Sequence, residues 1–135
     1  MNARVLIVDD EPAILDMLGE MFRFEGFTVD TCGSARDACS HLQQSSADLV
    51  ITDMRMETPS SGYEVLRAIQ RLPHPPPVIL FTAFPVPPAD VRSYGVAAVL
   101  MKGVNPSAVV AKARELLQEG QGSAGASINR ADSRK

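Results

Sequence analysis

Five short apolar runs recur along this chain, and stretches with helical spacing separate them. Such alternation is typical of α/β proteins, in which each strand leads into a helix. Because right-handed crossovers place helices on both faces of a parallel sheet, the pattern predicts an open, doubly wound sheet of five strands. A closed barrel of eight units would need far more than 135 residues. The apolar runs cover residues 5–8, 27–31, 47–53, 78–81 and 97–101.

Local signals mark where the intervening helices begin and end. Pro12 suits the first turn of a first helix, and Gly26 suits its end. Ser34 is a candidate N-cap for a second helix that reaches about residue 44. Further helices are predicted over residues 63–72, over residues 89–94 and from Asn105-Pro106 onward.

The composition changes after Glu119. Residues 1–119 carry the alternating pattern and form one predicted domain. Residues 120–135 are rich in Gly, Ser and Ala and end in basic residues. Such a segment can bury little apolar surface, so we expect a flexible basic tail.

Charge and cysteine content restrict the functional classes. The net charge is -3 and the pI is about 5.3, which gives no overall basic footprint for nucleic acid. We find no signal peptide and no apolar run of membrane-spanning length. Cys32 and Cys39 form neither a disulfide framework nor a zinc motif. The sequence therefore predicts a cytoplasmic protein that binds no membrane.

Polar residues follow four of the apolar runs. Asp9 and Asp10 follow the first run, Asp53 ends the third, Thr82 follows the fourth and Lys102 follows the fifth. Ligands of doubly wound sheets bind beyond the carboxyl ends of the strands, so we expect these side chains to form one site. Taken singly, each residue has a simpler interpretation as a helix cap, a turn residue or a surface charge.

The ordered set Asp9-Asp10, Asp53, Thr82-Ala83 and Lys102 resembles the receiver domains of bacterial response regulators, and the resemblance covers about residues 4–119. It implies a flavodoxin-like (βα)5 fold with strand order 2-1-3-4-5. It also implies that the protein is a signalling module and not an enzyme, beyond self-catalysed phosphotransfer and dephosphorylation.

The resemblance assigns roles to individual residues. Asp53 would accept a phosphoryl group from a histidine kinase or a histidine phosphotransfer protein. Mg²⁺ would be held by Asp10, by Asp9 partly through water, by Asp53 and by the backbone carbonyl of Arg55. Lys102 would contact a phosphoryl oxygen, and Thr82 would donate a hydrogen bond to another. By this interpretation Glu11 only favours the start of the first helix.

The resemblance also implies how the signal leaves the domain. A conformational change near the fourth helix and the fifth strand would reach an unidentified downstream protein. We expect a monomer or a weak homodimer, either as a stand-alone regulator or as a receiver from a longer chain.

Several positions depart from the family pattern. Gly103 stands where a proline usually follows the lysine, and Val99 stands where the family has an aromatic ring that moves inward on activation. We therefore expect switching to depend on Thr82 and its loop. The family commonly has a glycine eight residues after the phosphorylated aspartate. Here Gly62 comes nine residues after Asp53, which indicates one inserted residue in this loop. Phe84 lies where its ring could shield an acyl phosphate from water.

Two other functions remain as alternatives. One is a pseudo-receiver that binds partner proteins without phosphorylation. The other is a flavodoxin-like electron carrier. That class needs a phosphate loop rich in Ser, Thr and Gly after the first strand, where this chain has Asp-Asp-Glu-Pro at residues 9–12.

Overall fold

The computed structural model describes the backbone of residues 2–130 and the side chains of residues 2–119. Strands and helices alternate strictly along the chain. The five strands pair in parallel in the order β2-β1-β3-β4-β5, which confirms the predicted doubly wound sheet. The strands are β1 (Arg4–Val8), β2 (Thr28–Cys32), β3 (Leu49–Thr52), β4 (Val78–Thr82) and β5 (Ala98–Met101). The helices are α1 (Pro12–Phe24), α2 (Ala35–Gln44), α3 (Ser61–Gln70), α4 (Pro88–Ser93) and α5 (Ser107–Arg130).

Both faces of the sheet are buried. Successive side chains of a strand point to opposite faces, so neighbouring residues of β1 enter different layers. Leu6 lies in the layer that α2 and α3 cover, and Ile7 lies in the layer that α1 and α5 cover. No residue of α4 is buried, so this helix adds nothing to either core.

Helix starts follow the predicted caps. The hydroxyl of Ser34 accepts a hydrogen bond from the backbone N–H of Asp37 at 3.1 Å, which caps α2. The side-chain oxygen of Asn105 accepts a hydrogen bond from the backbone N–H of Ser107 at 3.0 Å, where α5 begins. These contacts fix how the chain enters both helices.

Two helices differ from the sequence prediction by two residues or more at an end. Helix α3 begins at Ser61 and not at residue 63. Helix α5 continues to Arg130, beyond the change of composition at residue 119. Each residue added to an existing helix gains a hydrogen bond at a small entropic cost, so a formed helix can extend through glycines that would not start one. The flexibility of residues 120–135 stays a prediction, and residues 131–135 lie outside the described residues.

None of the helices in the described part of the chain combines the length and the apolar character needed to cross a bilayer.

Candidate functional site

Two buried aspartates lie side by side at the carboxyl edge of the sheet. Val8 and Thr52 are paired between β1 and β3, so Asp9 and Asp53 leave the sheet next to each other. The backbone N–H of Asp9 donates to the carbonyl of Cys32 at 3.1 Å, and that of Asp53 donates to the carbonyl of Val8 at 3.0 Å. Asp9 is 2% exposed and Asp53 is 6% exposed. The sheet itself therefore places two carboxylates at its edge, with oxygens within 4.8 Å of each other.

The ammonium group of Lys102 joins these carboxylates. Its Nζ lies 2.8 Å from Oδ2 of Asp53 and 2.9 Å from Oδ2 of Asp9. The backbone N–H of Lys102 also donates to the carbonyl of Thr82 at 2.8 Å, which fixes the end of β5 beside β4. The structure thus brings together predicted site residues from four strands.

Glu11 is a member of this cluster that the sequence interpretation missed. Its side chain makes no cap at the start of α1. Instead, Oε2 of Glu11 lies 2.8 Å from Nζ of Lys102, so three carboxylates surround this ammonium. The side chain of Glu11 is 59% exposed, which makes it the most accessible of the three partners.

Burial and ion pairing shift the pKa values of Asp9 and Lys102 in opposite directions. Desolvation raises the pKa of Asp9, and the hydrogen bond from Lys102 offsets only part of this shift. For Lys102, desolvation is the largest single influence and lowers its pKa, but hydrogen bonds to Asp53, Asp9 and Glu11 together outweigh it. Its pKa therefore lies above the ordinary range, and Lys102 is a fixed positive charge in the site.

The acidic cluster fits a hard divalent cation. Asp9, Asp10, Glu11 and Asp53 each offer a carboxylate oxygen, and these oxygens lie within 4.8 Å of one another. One ammonium cannot neutralise four carboxylates, so the cluster carries excess negative charge beside the buried sheet. Mg²⁺ prefers oxygen ligands of this kind. Arg55 follows Asp53 by two residues, and the role of its carbonyl as a ligand stays a prediction.

Thr82 lies fully buried at the end of β4. Its Oγ1 accepts a hydrogen bond from the backbone N–H of Phe84 at 3.2 Å. A hydroxyl that accepts one hydrogen bond keeps its proton available for another acceptor. Thr82 is therefore held at the edge of the site as a potential donor.

Arg55 and Phe84 connect the loops that follow β3 and β4. Cζ of Arg55 lies 4.6 Å from the centre of the Phe84 ring, which is a cation–π distance. Phe84 is 49% exposed, so this pair lies at the surface of the loops. Sequence analysis picked out Phe84 but gave no reason to pair it with Arg55.

The loop after Asp53 is tightly closed. The N–H of Gly62 donates to the carbonyl of Met54 at 2.7 Å, and a Cβ at position 62 would lie only 2.5 Å from Cα of Met54. Within this loop, the carboxylate of Glu57 accepts hydrogen bonds from the N–H of Ala35 at 3.0 and 3.1 Å. Desolvation acts to raise the pKa of Glu57, but hydrogen bonds, most of them from backbone N–H groups, together have a larger and opposite effect. The net shift of this pKa is therefore downward.

The loop after Lys102 takes a path that proline cannot follow. Gly103 has φ of +111°, whereas the proline ring fixes φ near about −65°. Val99 is partly buried against the core layer beneath α2 and α3. Glycine in place of the usual proline at position 103 therefore changes the backbone path of this loop.

Comparison with known proteins identifies what the chain resembles. A family model described as the response regulator receiver domain matches residues 5–114. The transcriptional regulatory protein GlrR of Escherichia coli is 33% identical over 119 residues, which cover 87% of this chain and 27% of that protein. The DNA-binding response regulator MtrA of Mycolicibacterium smegmatis is 29% identical, with 90% of this chain and 53% of that protein covered.

Solved structures show the same fold. A CheY-like receiver domain protein from Methanospirillum hungatei superimposes with a TM-score of 0.82 at 28% identity, covering 91% of this chain and 99% of that one. The response regulator TrrA from Thermotoga maritima, solved in complex with Mg²⁺ and BeF, gives a TM-score of 0.74 at 32% identity and covers 84% of this chain and 98% of that one. The chain thus matches nearly the whole of these structures but between about a quarter and a half of the two regulators named above.

Proposed function

Because this chain belongs to the response regulator receiver family, we propose that it accepts a phosphoryl group on Asp53 and passes the signal on by protein contact. The arrangement of Asp53 carries this proposal. Its Oδ1 accepts a hydrogen bond from the N–H of Met54 at 2.7 Å, and its Oδ2 accepts one from Lys102 at 2.8 Å. The carboxylate is therefore held in one orientation beside a fixed positive charge.

The chemistry of the proposed step needs little beyond this arrangement. An oxygen of Asp53 attacks the phosphorus of a phosphohistidine, a P–O bond forms, and the P–N bond breaks as the imidazole leaves and retains a proton. Positioning and charge stabilisation supply most of the catalysis in phosphoryl transfer. Lys102 already touches the attacking carboxylate, and the free proton of Thr82 suits a phosphoryl oxygen.

Mg²⁺ is part of the proposal. Asp9, Asp10 and Asp53 are the side chains that would hold it, and the carbonyl of Arg55 would complete the protein ligands. When bound, the ion supplies positive charge that allows a phosphoryl group to approach carboxylates. Burial raises the pKa of Asp9, and a bound cation would oppose this shift by favouring the charged form.

The partners follow from the same step. We propose a histidine kinase or a histidine phosphotransfer protein as the donor and an unidentified protein as the receiver of the signal. The matched relatives are named as transcriptional and DNA-binding regulators. Both cysteines are free, which suits the reducing cytoplasm as the place of action.

Intact mass measurement tests the proposal. We expect incubation with acetyl phosphate and Mg²⁺ to add one phosphoryl group that is labile in base, and we expect Asp53→Asn to abolish it. Asp16→Asn is a matched control because Asp16 is exposed on α1. Failure of the wild-type chain to gain the phosphoryl group, from this donor and from candidate kinases, would favour a pseudo-receiver that only binds partners.

A further inference from the structure

The carboxylate of Glu57 joins two parts of the molecule that lie far apart in the chain. Its Oε1 and Oε2 accept hydrogen bonds from the backbone N–H of Ala35 at 3.1 and 3.0 Å. Oε2 also accepts one from the N–H of Arg36 at 3.4 Å. Ala35 and Arg36 are the first two residues of α2, whereas Glu57 belongs to the loop that follows Asp53. This side chain therefore connects the loop after β3 to the start of α2.

Two side chains satisfy the start of α2. The first N–H groups of a helix have no partner within the helix. The carboxylate of Glu57 accepts from the first two, and the hydroxyl of Ser34 accepts from that of Asp37 at 3.1 Å. A carboxylate at this end interacts favourably with the helix dipole, and hydrogen bonds to a charged acceptor are about twice as strong as neutral ones. Glu57 thereby anchors its own loop to α2, whereas Ser34 caps the helix from the adjoining residue.

The same loop is also attached to α3. The N–H of Gly62, near the start of α3, donates to the carbonyl of Met54 at 2.7 Å. Arg55 lies between Met54 and Glu57 in the chain. The backbone of Arg55 is therefore bounded by one contact to α3 and by another to α2.

Helix α2 is in turn connected to the opposite side of the acidic cluster. Strand β2 ends at Cys32, and α2 begins three residues later. The carbonyl of Cys32 accepts a hydrogen bond from the N–H of Asp9 at 3.1 Å. A path of contacts thus runs from Asp9 through the start of α2 to Glu57 and returns along the loop to Arg55. This path connects the two sides of the proposed metal site in addition to the sheet.

We propose, on the basis of the proposed function, that Glu57 is a positioning residue for the metal site, because it holds the loop that bears Arg55 in place for Mg²⁺. Its carboxylate is already bonded to the backbone of α2, so Glu57 acts on the site without contacting the ion. A loop that is held in place beforehand loses less conformational entropy on binding. Loss of such an outer contact typically lowers metal affinity about 10- to 100-fold.

Two substitutions separate the reach of this side chain from its charge. Glu57→Asp keeps the charge but shortens the side chain by one carbon–carbon bond, about 1.5 Å, so the 3.0 Å contact to Ala35 is lost. Glu57→Gln loses the charge but keeps the length and an acceptor oxygen. Calorimetric titration of the unphosphorylated protein with Mg²⁺ should show about 10-fold weaker binding to Glu57→Asp and less than about 3-fold weaker binding to Glu57→Gln.

Ser34→Ala is the matched control, because it removes a cap of the same helix without touching the loop after Asp53. Its affinity for Mg²⁺ should match that of the wild type. Circular dichroism at the titration temperature checks that each variant is folded. If Ser34→Ala weakens Mg²⁺ binding as much as Glu57→Asp does, the effect comes from the helix in general and the inference is overturned.

The Mg²⁺ dependence of phosphorylation gives a second readout. For Glu57→Asp, the Mg²⁺ concentration that gives half the maximal rate with acetyl phosphate should rise about 10-fold, and the rate at saturating Mg²⁺ should stay near that of the wild type. Wild-type affinity of Glu57→Asp for Mg²⁺, or weaker binding by Glu57→Gln than by Glu57→Asp, would overturn the inference and leave the proposed function intact. A wild-type chain that binds no Mg²⁺ and accepts no phosphoryl group would overturn both.

Discussion

The ammonium nitrogen of Lys102 lies 2.8 Å from Oδ2 of Asp53, although 49 residues separate the two positions in the chain. The contact exists because the carboxyl ends of β3 and β5 reach the same edge of the sheet. Asp9 shares the same ammonium at 2.9 Å. The cluster therefore combines a potential nucleophile with a positive charge that is already in place.

Lys102→Met should abolish most of the phosphoryl transfer. Removing one preorganised donor from a site of developing charge typically slows the reaction about 100-fold or more. The rate of phosphorylation by acetyl phosphate at saturating Mg²⁺ is the measurement. Lys112→Met is the control, because Lys112 pairs with Glu115 on the outside of α5 at 2.9 Å. A rate within 2-fold of wild type for Lys102→Met would show that this ammonium does not assist the transfer.

Asp9→Asn should raise stability at neutral pH in the absence of Mg²⁺. Desolvation raises the pKa of Asp9 in the folded protein above the ordinary 3.8. The folded state therefore binds the proton more tightly than the unfolded chain, so stability falls as pH rises from about 3.8 through the folded pKa. Asparagine cannot ionise, and the variant avoids this loss.

Thermal unfolding midpoints at several pH values check the effect of Asp9→Asn. The midpoint of the variant should exceed that of the wild type near neutral pH and approach it in acid. Mg²⁺ should stabilise the wild type more than the variant, because the variant has lost a carboxylate from the cluster. A variant less stable than wild type at neutral pH would contradict the inference that the buried charge of Asp9 destabilises the folded protein.

Phe84→Ser should shorten the lifetime of the acyl phosphate. The Phe84 ring is held against the guanidinium of Arg55 at 4.6 Å, and this pair connects the loops after β3 and β4. Our hypothesis is that this ring restricts access of water to Asp53, so we expect a several-fold faster loss of the phosphoryl group without it.

The decay of the phosphorylated mass after removal of the donor measures this lifetime. Phe24→Ser provides the control, because Phe24 is 88% exposed at the end of α1 and lies outside the site. If Phe84→Ser retains the phosphoryl group as long as wild type or longer, the ring does not protect the acyl phosphate.

The strand ends could be predicted from the sequence because each depends on local patterns. Short apolar runs indicated strands, and parallel pairing then placed Asp9, Asp53, Thr82 and Lys102 at one edge. The role of Glu11 could not be predicted, since its partner lies 91 residues away and the local pattern suggested only a helix start. Likewise, the continuation of α5 beyond residue 119 could not be predicted, because the glycines there are poor helix formers. Extension of a helix depends on the turns already formed before it.

Gly62→Ala should destabilise the protein by about 1–3 kcal/mol, since a methyl group would overlap backbone atoms of Met54. The new Cβ would lie 2.5 Å from Cα and 2.8 Å from the carbonyl oxygen of Met54, and backbone atoms cannot move aside as a flexible side chain can. Relief of this overlap requires the loop after Asp53 to open, so phosphorylation should slow as well. Gly33→Ala is the matched control, because a Cβ there meets no atom within 4 Å, and urea denaturation should give nearly the wild-type free energy of unfolding. Equal stability of the two variants would show that the close approach of Gly62 to Met54 does not hold the loop closed.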